Sequence, residues 1–204
     1  VSVGADERMS VSFVVNKAGR IVVMLSLGMM GAGLGQHVVK PQRVGEKPKI
    51  DGVLNEVEWG RAATISNLGQ VEPREGVKPS ERTEVRLMRT DEALYLGVTC
   101  FDRTPSGVLA RDRRRDSTGS GDDRLRIVID PFARGTEGYF FGIAAGGSLG
   151  DGIVRAGNRP EMEWDCIWEA KTRVTADGWV AEVEIPFRSI SFEPDQESWG
   201  FNIE

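Results

Sequence analysis

Hydrophobic and polar residues alternate along residues 168–187 in two runs with a turn signal between them. The first run keeps its apolar or small side chains at Trp168, Ala170, Thr172 and Val174. The second run keeps them at Trp179, Ala181, Val183 and Ile185. Asp177-Gly178 separates the runs, and this dipeptide favours a hairpin turn because Gly tolerates a positive φ. The pattern predicts two antiparallel strands with one buried and one solvated face.

The solvated face of this hairpin carries basic residues on the first strand and acidic residues on the second. We expect Lys171 and Arg173 to form cross-strand charge pairs with Glu182 and Glu184. Pro186 then ends the ladder, because proline has no N–H to donate.

Shorter alternations between turn residues recur along the rest of the chain. They predict strands over residues 38–44, 83–89, 93–101, 125–130, 139–145 and 199–203, and a short one near residue 153. Asn55 and Glu58 have capping-box spacing, which predicts a short helix over residues 55–62 that pins Trp59 against the core. The polar residues 105–116 are a second candidate helix. Together these elements predict an all-β fold, an antiparallel β-sandwich of jelly-roll or immunoglobulin-like type with one or two short helices.

The first 35 residues have the pattern of a secretory signal peptide. Lys17 and Arg20 supply a positive segment, and an apolar, Gly-rich run follows over residues 21–35, with cleavage expected near Gln36. Met9 offers an alternative start, which would make the first eight residues an upstream extension. An uncleaved anchor is the alternative, although the run is shorter than the about 20 residues that span a membrane.

Length, charge and histidine count limit the domain organisation and the classes of function that this chain can have. The chain has 204 residues, which suits one domain of ordinary size, over residues 36–204, behind the targeting segment. The net charge of -5 argues against a nucleic-acid partner, because phosphate binding needs a basic field. The one histidine, His37, leaves little room for His-based catalysis or His-rich metal sites. The last predicted strand runs up to Glu204, so we expect these residues to be the front part of a longer protein or a truncated gene product.

Two cysteines leave the redox state open. Cys100 is in phase with the apolar positions of its predicted strand, which favours a buried free thiol. Export would permit a disulfide with Cys166, but a sequence does not show whether two Cα atoms lie within bonding distance.

Two motifs have both a structural and a functional interpretation. The Gly-rich residues 146–150 around Ser148 match a nucleophile elbow, but neither a histidine nor a helix pattern follows, so a turn between strands is favoured. The run of arginines and aspartates over residues 111–116 is typical of a solvated loop or helix face, and a ligand-contacting loop is the alternative.

Two further features are candidates for ligand contacts. Asp122 and Asp123 follow a small, flexible segment, and two adjacent carboxylates suit Ca²⁺, although capping of a turn is an equal alternative. Trp164 lies in the polar loop 158–165, where its ring would stack on the apolar face of a sugar. The alternative is that Trp164 covers one end of the sandwich.

Six segments in this order resemble the family 9 carbohydrate-binding modules. They are residues 50–59, with Ile50-Asp51-Gly52 and Trp59, then 81–87, 93–98 with Asp102, 122–130, 178–187 and 199–202. The resemblance covers residues 38–204. It is closest to modules at the N-terminus of exported bacterial proteins whose C-terminal part is a predicted outer-membrane β-barrel.

The resemblance implies a β-sandwich that binds sugars, structural calcium in some members, and attachment to glycan-degrading enzymes. Members that bind sugar ends hold them between two tryptophans with charged residues on neighbouring loops. This chain has Gly119, Ser120 and Gly121 where the first aromatic is expected, and the second tryptophan would lie beyond Glu204.

The acidic positions near the family's sugar site match this chain better than the tryptophan positions do. Asp102 and Asp123 correspond to them, whereas Arg126 stands where the sugar binders are acidic. We therefore expect stacking on Trp164 and polar contacts from these three residues.

The resulting hypothesis is a non-catalytic carbohydrate-binding module of an exported bacterial protein, accessory to glycan degradation. Its partner is a glycan or oligosaccharide and its location periplasmic, outer-membrane-associated or extracellular. It requires no cofactor, and calcium at Asp122 and Asp123 is the candidate structural ion. One alternative is a structural N-terminal domain of an outer-membrane β-barrel assembly without sugar binding. The other is the accessory part of a glycoside hydrolase.

Overall fold

The computed structural model of the chain describes residues 8–15, 39–72, 77–117, 121–155, 159–196 and 198–204. These residues form twelve strands, which are β1 Arg8–Val15, β2 Gln42–Arg43, β3 Ala63–Ile65, β4 Gly69–Glu72, β5 Thr83–Arg89, β6 Ala93–Phe101, β7 Arg124–Asp130, β8 Glu137–Ala144, β9 Leu149–Arg155, β10 Glu169–Thr175, β11 Gly178–Pro186 and β12 Trp199–Ile203. Three short 3-10 helices accompany them, at Val57–Arg61, Pro105–Gly107 and Phe187–Ser189.

The strands form two sheets around one hydrophobic core. The first sheet has the order β4-β1-β12-β7-β8-β9, and the second has the order β10-β11-β6-β5-β2, with β3 also paired to β5. Among the described residues, the strand pairings are antiparallel except the short contact of β2 with β5. The predicted β-sandwich with short helices is confirmed.

Alternate residues of both sheets point into the space between them. Because side chains on a strand alternate between its two faces, the central strands contribute every second described residue to this core. The most deeply buried members include Val85, Leu87, Leu96, Val98, Ile127, Ile129, Phe141, Ala181, Val183 and Ile203.

The predicted hairpin over residues 168–187 is present as β10 and β11. Its turn lies one residue earlier than predicted, because Gly178 already pairs with Thr175. Gly178 has a φ of 136° and presses so closely on β6 that a Cβ there would lie 2.0 Å from the Cys100 carbonyl oxygen. Val174, expected on the buried face, is 46% exposed because β10 is the edge strand of its sheet.

The outer face of β11 is not solvated as predicted. Glu182 lies opposite Lys171 in register, but its side chain is fully buried. One of its oxygens, Oε2, accepts the backbone N–H groups of Asp51, Gly52 and Val53 at 2.8, 2.6 and 3.1 Å. The expected charge pair at Glu182 is therefore wrong, because another segment of the chain covers this face.

The segment that covers this face, residues 39–62, builds a second hydrophobic cluster outside the sandwich. We call it the covering segment. Its Trp59 is 1% exposed and packs with Met88 and Tyr95 of the underlying sheet. Gly97 makes room for it, since a Cβ at Gly97 would lie 2.9 Å from the Trp59 ring. Trp59 is pinned as predicted, but against the outer face of the sheet rather than the central core.

Both predicted helices are shorter than expected. The first is the 3-10 helix Val57–Arg61, whose N-cap residue Glu56 makes no side-chain capping hydrogen bond. The capping box predicted at Asn55 and Glu58 is therefore wrong. The polar residues 105–116 contain one short 3-10 turn, Pro105–Gly107, and continue as a loop.

The predicted signal peptide falls mostly outside the described residues. Strand β1 lies within its span and pairs with β12 and β4. The leader, its cleavage point and the alternative anchor stay predictions. Among the described residues, no helix combines the length and apolar character needed to cross a bilayer.

Candidate functional site

A loop of residues 109–117 crosses one end of the sandwich and carries the arginine-rich run. We call it the arginine loop, and we call the end where β6 stops and β7 starts the apical end. Asp123 Oδ2 accepts the N–H of Leu109 at 2.8 Å, and the Asp123 N–H donates to the Leu109 carbonyl at 3.0 Å. Asp122 Oδ2 accepts the N–H groups of Arg111 and Asp112 at 2.7 and 2.6 Å. These carboxylates hold the loop against the start of β7.

Asp112 fixes the next part of the arginine loop. Its carboxylate accepts the backbone N–H of Arg114 at 3.0 Å, the guanidinium of the same residue and the hydroxyl of Ser117. The Arg114 side chain and then Ser117 hold the pKa of Asp112 well below its usual range, because they stabilise the ionised form.

Ser148 joins the arginine loop to the turn between β8 and β9. Its side chain is fully buried, and Oγ lies 2.5 Å from the carbonyl oxygen of Arg114 and 2.9 Å from that of Ser117. The loop also passes so close to Gly146 that a Cβ there would lie 2.5 Å from the Asp112 carbonyl oxygen. Ser148 is therefore a structural residue beneath the loop, as the interpretation of residues 146–150 as a turn predicts.

Two of the predicted site residues meet at the apical end. Asp102 follows β6, donates its backbone N–H to Asp177 at 2.9 Å and accepts the Thr104 N–H at 2.6 Å. Asp123 stands at the start of β7. Burial raises the pKa of Asp123, and the nearby charges of Asp102 and Asp122 raise it further. Asp102 and Asp123 therefore lie at the same end of the sandwich, where the charge of Asp102 acts on Asp123.

Trp164 lies elsewhere, against the opposite part of β8. Its ring is 4.8 Å from that of Tyr139 and 6.4 Å from that of Phe141, measured between centroids. Tyr139 pairs with Ile129, near the end of β7 that is farther from Asp123. Trp164 is half-buried and packs on the core, as expected if it covers part of the sandwich. Its use as a sugar platform stays a prediction.

Arg126 also lies apart from the carboxylate pair. It points away from the core on β7, where its Nη1 donates to Glu204 Oε2 at 2.9 Å. Its guanidinium carbon is 5.6 Å from the centroid of the Phe140 ring. The structure therefore brings together Asp102 and Asp123, but neither Trp164 nor Arg126 joins them.

Asp151 is a buried polar centre that the sequence pattern did not single out. It is 1% exposed and accepts the Cys166 N–H at 2.7 Å, the Trp168 indole N–H at 3.1 Å and Arg115 Nη2 at 2.8 Å. Arg115 also reaches Asp165 at 2.5 Å. Asp151 thereby joins β9 to the arginine loop and to the segment before β10. Its position between two glycines is typical of a turn. Its partners Arg115, Cys166 and Trp168 lie 36, 15 and 17 residues away in the sequence, so no local signal indicated this role.

The predicted calcium site has a small donor set. Asp122 and Asp123 each use one oxygen to accept backbone N–H groups, which favours the turn-capping alternative. The described residues contain no group of three or more His, Cys, Asp or Glu side chains that could hold a metal ion. Ca²⁺ takes about six to eight oxygen ligands. The described carboxylates alone do not fit such an ion, and calcium stays a prediction.

Both cysteines are free thiols. Burial raises the pKa of Cys100 and of Cys166 to about 12, and the carboxylates near each thiol act in the same direction. The free-thiol interpretation therefore holds over the disulfide in this structure.

Comparison with known proteins supports the fold. No protein-family model matches the chain, and no curated protein matches it. A protein from Bacteroides uniformis that is assigned as carbohydrate-binding has a TM-score of 0.59 at 12% identity, over 79% of this chain and 80% of its own. A family 9 carbohydrate-binding module from Caldicellulosiruptor kristjanssonii matches over 79% of this chain in two complexes. The cellotriose complex has a TM-score of 0.47, 17% identity and 81% coverage of its own chain. The glucose complex has a TM-score of 0.48, 16% identity and 85% coverage of its own chain. At these identities the likeness to the Bacteroides protein shows a shared fold.

Proposed function

We propose that this chain is a non-catalytic carbohydrate-binding module and that its sugar site is the apical end. The observation that carries the proposal is the pair of carboxylates Asp102 and Asp123 beside a loop whose backbone is held in place. Sugar hydroxyls are hydrogen-bond donors, and carboxylates are strong acceptors for them. A pre-ordered loop lowers the entropic cost of binding.

Two further facts support binding rather than catalysis. The Bacteroides protein with the same fold is assigned as carbohydrate-binding. At the apical end, the described nucleophile candidate Ser148 is buried beneath the arginine loop, where a substrate does not reach it. Binding alone needs no acid/base pair.

The test is calorimetric titration of the full chain with a panel that includes glucose, cellotriose and acidic oligosaccharides. We expect heat with at least one sugar, and Asp102→Asn or Asp123→Asn to weaken binding about tenfold or more, because one charged acceptor is lost. Asp102→Asn keeps an oxygen for the Thr104 N–H, and Asp123→Asn keeps one for the Leu109 N–H. Asp195→Asn, an exposed residue on another loop, is the matched control.

Two results would overturn the proposal. A folded sample that gives no heat with any sugar excludes the binding function. Sugar binding that survives both apical variants but is lost in Trp164→Ala moves the site to the Trp164 region.

A structural domain without a sugar site is the second candidate function. It is favoured because both side chains already have partners: Trp164 packs on Tyr139, and Arg126 pairs with Glu204 on the outer face of β7. The same titration separates the two candidates.

Export belongs to the same proposal and is supported by the charged and apolar pattern of the first 35 residues. N-terminal sequencing of the protein secreted from a bacterial host tests it. A mature start near residue 36 is the expected result, and retention in the cytoplasm would exclude it. Association with a glycan-degrading parent protein remains part of the proposal, and the coding sequence downstream of residue 204 tests it.

A further inference from the structure

We infer that the apical end prefers saccharides that carry an anionic group, a uronic-acid carboxylate or a sulfate ester, and that Arg111 and Arg113 bind it. This inference rests on the proposed function of the same end. The arginines of the arginine loop divide into two sets, those with partners inside the protein and those without a described partner.

Two arginines of the loop are used inside the protein. Arg114 pairs with Asp112 at 3.1 Å, and Arg115 bridges the buried Asp151 and the exposed Asp165. Arg111 and Arg113 differ from them. Both are exposed, and neither guanidinium has a hydrogen bond or ion pair with any residue that the structure describes.

The backbone beneath these two arginines is nevertheless fixed. The N–H of Arg111 is bound by Asp122, and the N–H groups of Asp112 and Arg114, on either side of Arg113, are bound by Asp122 and by Asp112 itself. Asp122 and Asp112 thus use oxygens to accept amide N–H groups of the loop. The guanidinium groups of Arg111 and Arg113 have no described partner.

Charge and geometry together indicate the ligand class. Each guanidinium offers a planar fork of donors that matches a carboxylate or a sulfate. The chain as a whole carries a net charge of -5, which disfavours non-specific adhesion of polyanions. Asp102 and Asp123 lie at the same end and suit hydroxyl groups. A sugar with both an anionic group and free hydroxyls satisfies both sets, and their opposite charges fix its orientation.

The experiment compares trigalacturonic acid with its fully methyl-esterified form, which has the same shape without the charge. We expect the free acid to bind at least about tenfold tighter at low ionic strength. This advantage should shrink in roughly 0.5 M NaCl, where exposed charges are strongly screened. A sulfated oligosaccharide forms a second arm, and whichever of the two anions binds more tightly identifies the source of the charge.

The variants assign the preference to residues. Arg111→Ala/Arg113→Ala should abolish the preference for the acid and leave the melting temperature unchanged, since both side chains are exposed. Arg61→Ala/Arg188→Ala removes two exposed arginines elsewhere and should keep the preference.

Each failure has a distinct meaning. Equal binding of acid and ester, or a preference that survives in the Arg111/Arg113 variant, overturns this inference and leaves the proposed function standing. Absence of binding to every saccharide overturns both.

Discussion

The indole N–H of Trp59 donates a 3.0 Å hydrogen bond to Oε1 of Glu182, and both side chains are almost completely buried. The other oxygen of Glu182 receives the three backbone N–H groups of residues 51–53. One carboxylate therefore holds the covering segment on the outer face of β11.

Replacing this carboxylate by an amide should destabilise the fold. In Glu182→Gln one acceptor oxygen becomes an NH2 donor, so either the Trp59 indole or the three backbone N–H groups face a donor. We expect a loss of about 1–3 kcal/mol in the free energy of unfolding, measured by urea denaturation. Glu169→Gln, on the exposed side of the neighbouring strand, is the control. Equal stability of the two variants would contradict this account.

The space above Gly97 is the second testable feature of the covering segment. A Cβ there would lie 2.6 Å from Leu54 Cδ2 and 2.9 Å from the Trp59 ring. Gly97→Ala should therefore displace Trp59 and cost about 1–3 kcal/mol in stability, with a shift in tryptophan fluorescence. Gly60→Ala adds the same methyl group where no atom lies within 4 Å and should cost much less. A Gly97→Ala protein as stable as Gly60→Ala would refute this packing.

Asp151 should be essential for the connection between β9 and the segment before β10. Asp151→Asn exchanges a charged acceptor for an amide and leaves the Arg115 guanidinium, the Trp168 indole or the Cys166 N–H without a full partner. We expect a destabilisation of about 1–3 kcal/mol. Asp165→Asn changes the exposed partner of the same arginine and should have little effect. Thermal unfolding of both variants measures the loss of stability. A similar loss in the two variants would show that the burial of Asp151 is unimportant.

The arginine loop should loosen in acid. Because the folded state depresses the pKa of Asp112, its stabilising contribution is complete above the ordinary carboxyl value of 3.8 and is lost as the pH falls below it. The carboxyl carbon of Asp112, followed by NMR, should titrate well below pH 3.8. Arg114→Ala/Ser117→Ala should move its midpoint upwards, and a midpoint that stays in place would rule out these two residues as the cause.

Both thiols should be unreactive in the native protein. With pKa values raised to about 12, Cys100 and Cys166 carry almost no thiolate at pH 8, and the thiolate is the nucleophile. A disulfide-exchange reagent should therefore react slowly with the folded chain and rapidly with two thiols in urea. Rapid reaction in the native state would disprove the burial, and the absence of thiols in urea would reveal a disulfide.

The residues that were predicted well are those whose burial depends on one strand and its neighbours. The alternation over residues 168–187 was sufficient for the hairpin, because its inner face packs on the core. Glu182 was misplaced because alternation shows that a residue faces outwards but not that a distant segment covers it. Gly97, a glycine within a strand, was the local sign of that close approach.

The candidate site was predicted less well, for a related reason. Asp102 follows β6 and Asp123 precedes β7 at the apical end, and the resemblance indicated both residues. The prediction for Trp164 rested on its polar sequence neighbours, but the position of its ring depends on contacts with Tyr139 and Phe141 of β8. A residue in a loop takes its environment from contacts that local sequence does not show.

The partners of Glu182 have a consequence for how the protein folds during synthesis. Its hydrogen bonds reach back 123 residues to Trp59 and 129–131 residues to residues 51–53 of the covering segment. The covering segment therefore leaves the ribosome long before β11 exists. Met88 and Tyr95 of β5 and β6 follow it soon, but the buried carboxylate that anchors it arrives only with β11. Contacts of such long sequence separation slow folding. The indole N–H of Trp59 therefore lacks its carboxylate acceptor until most of the chain has been made.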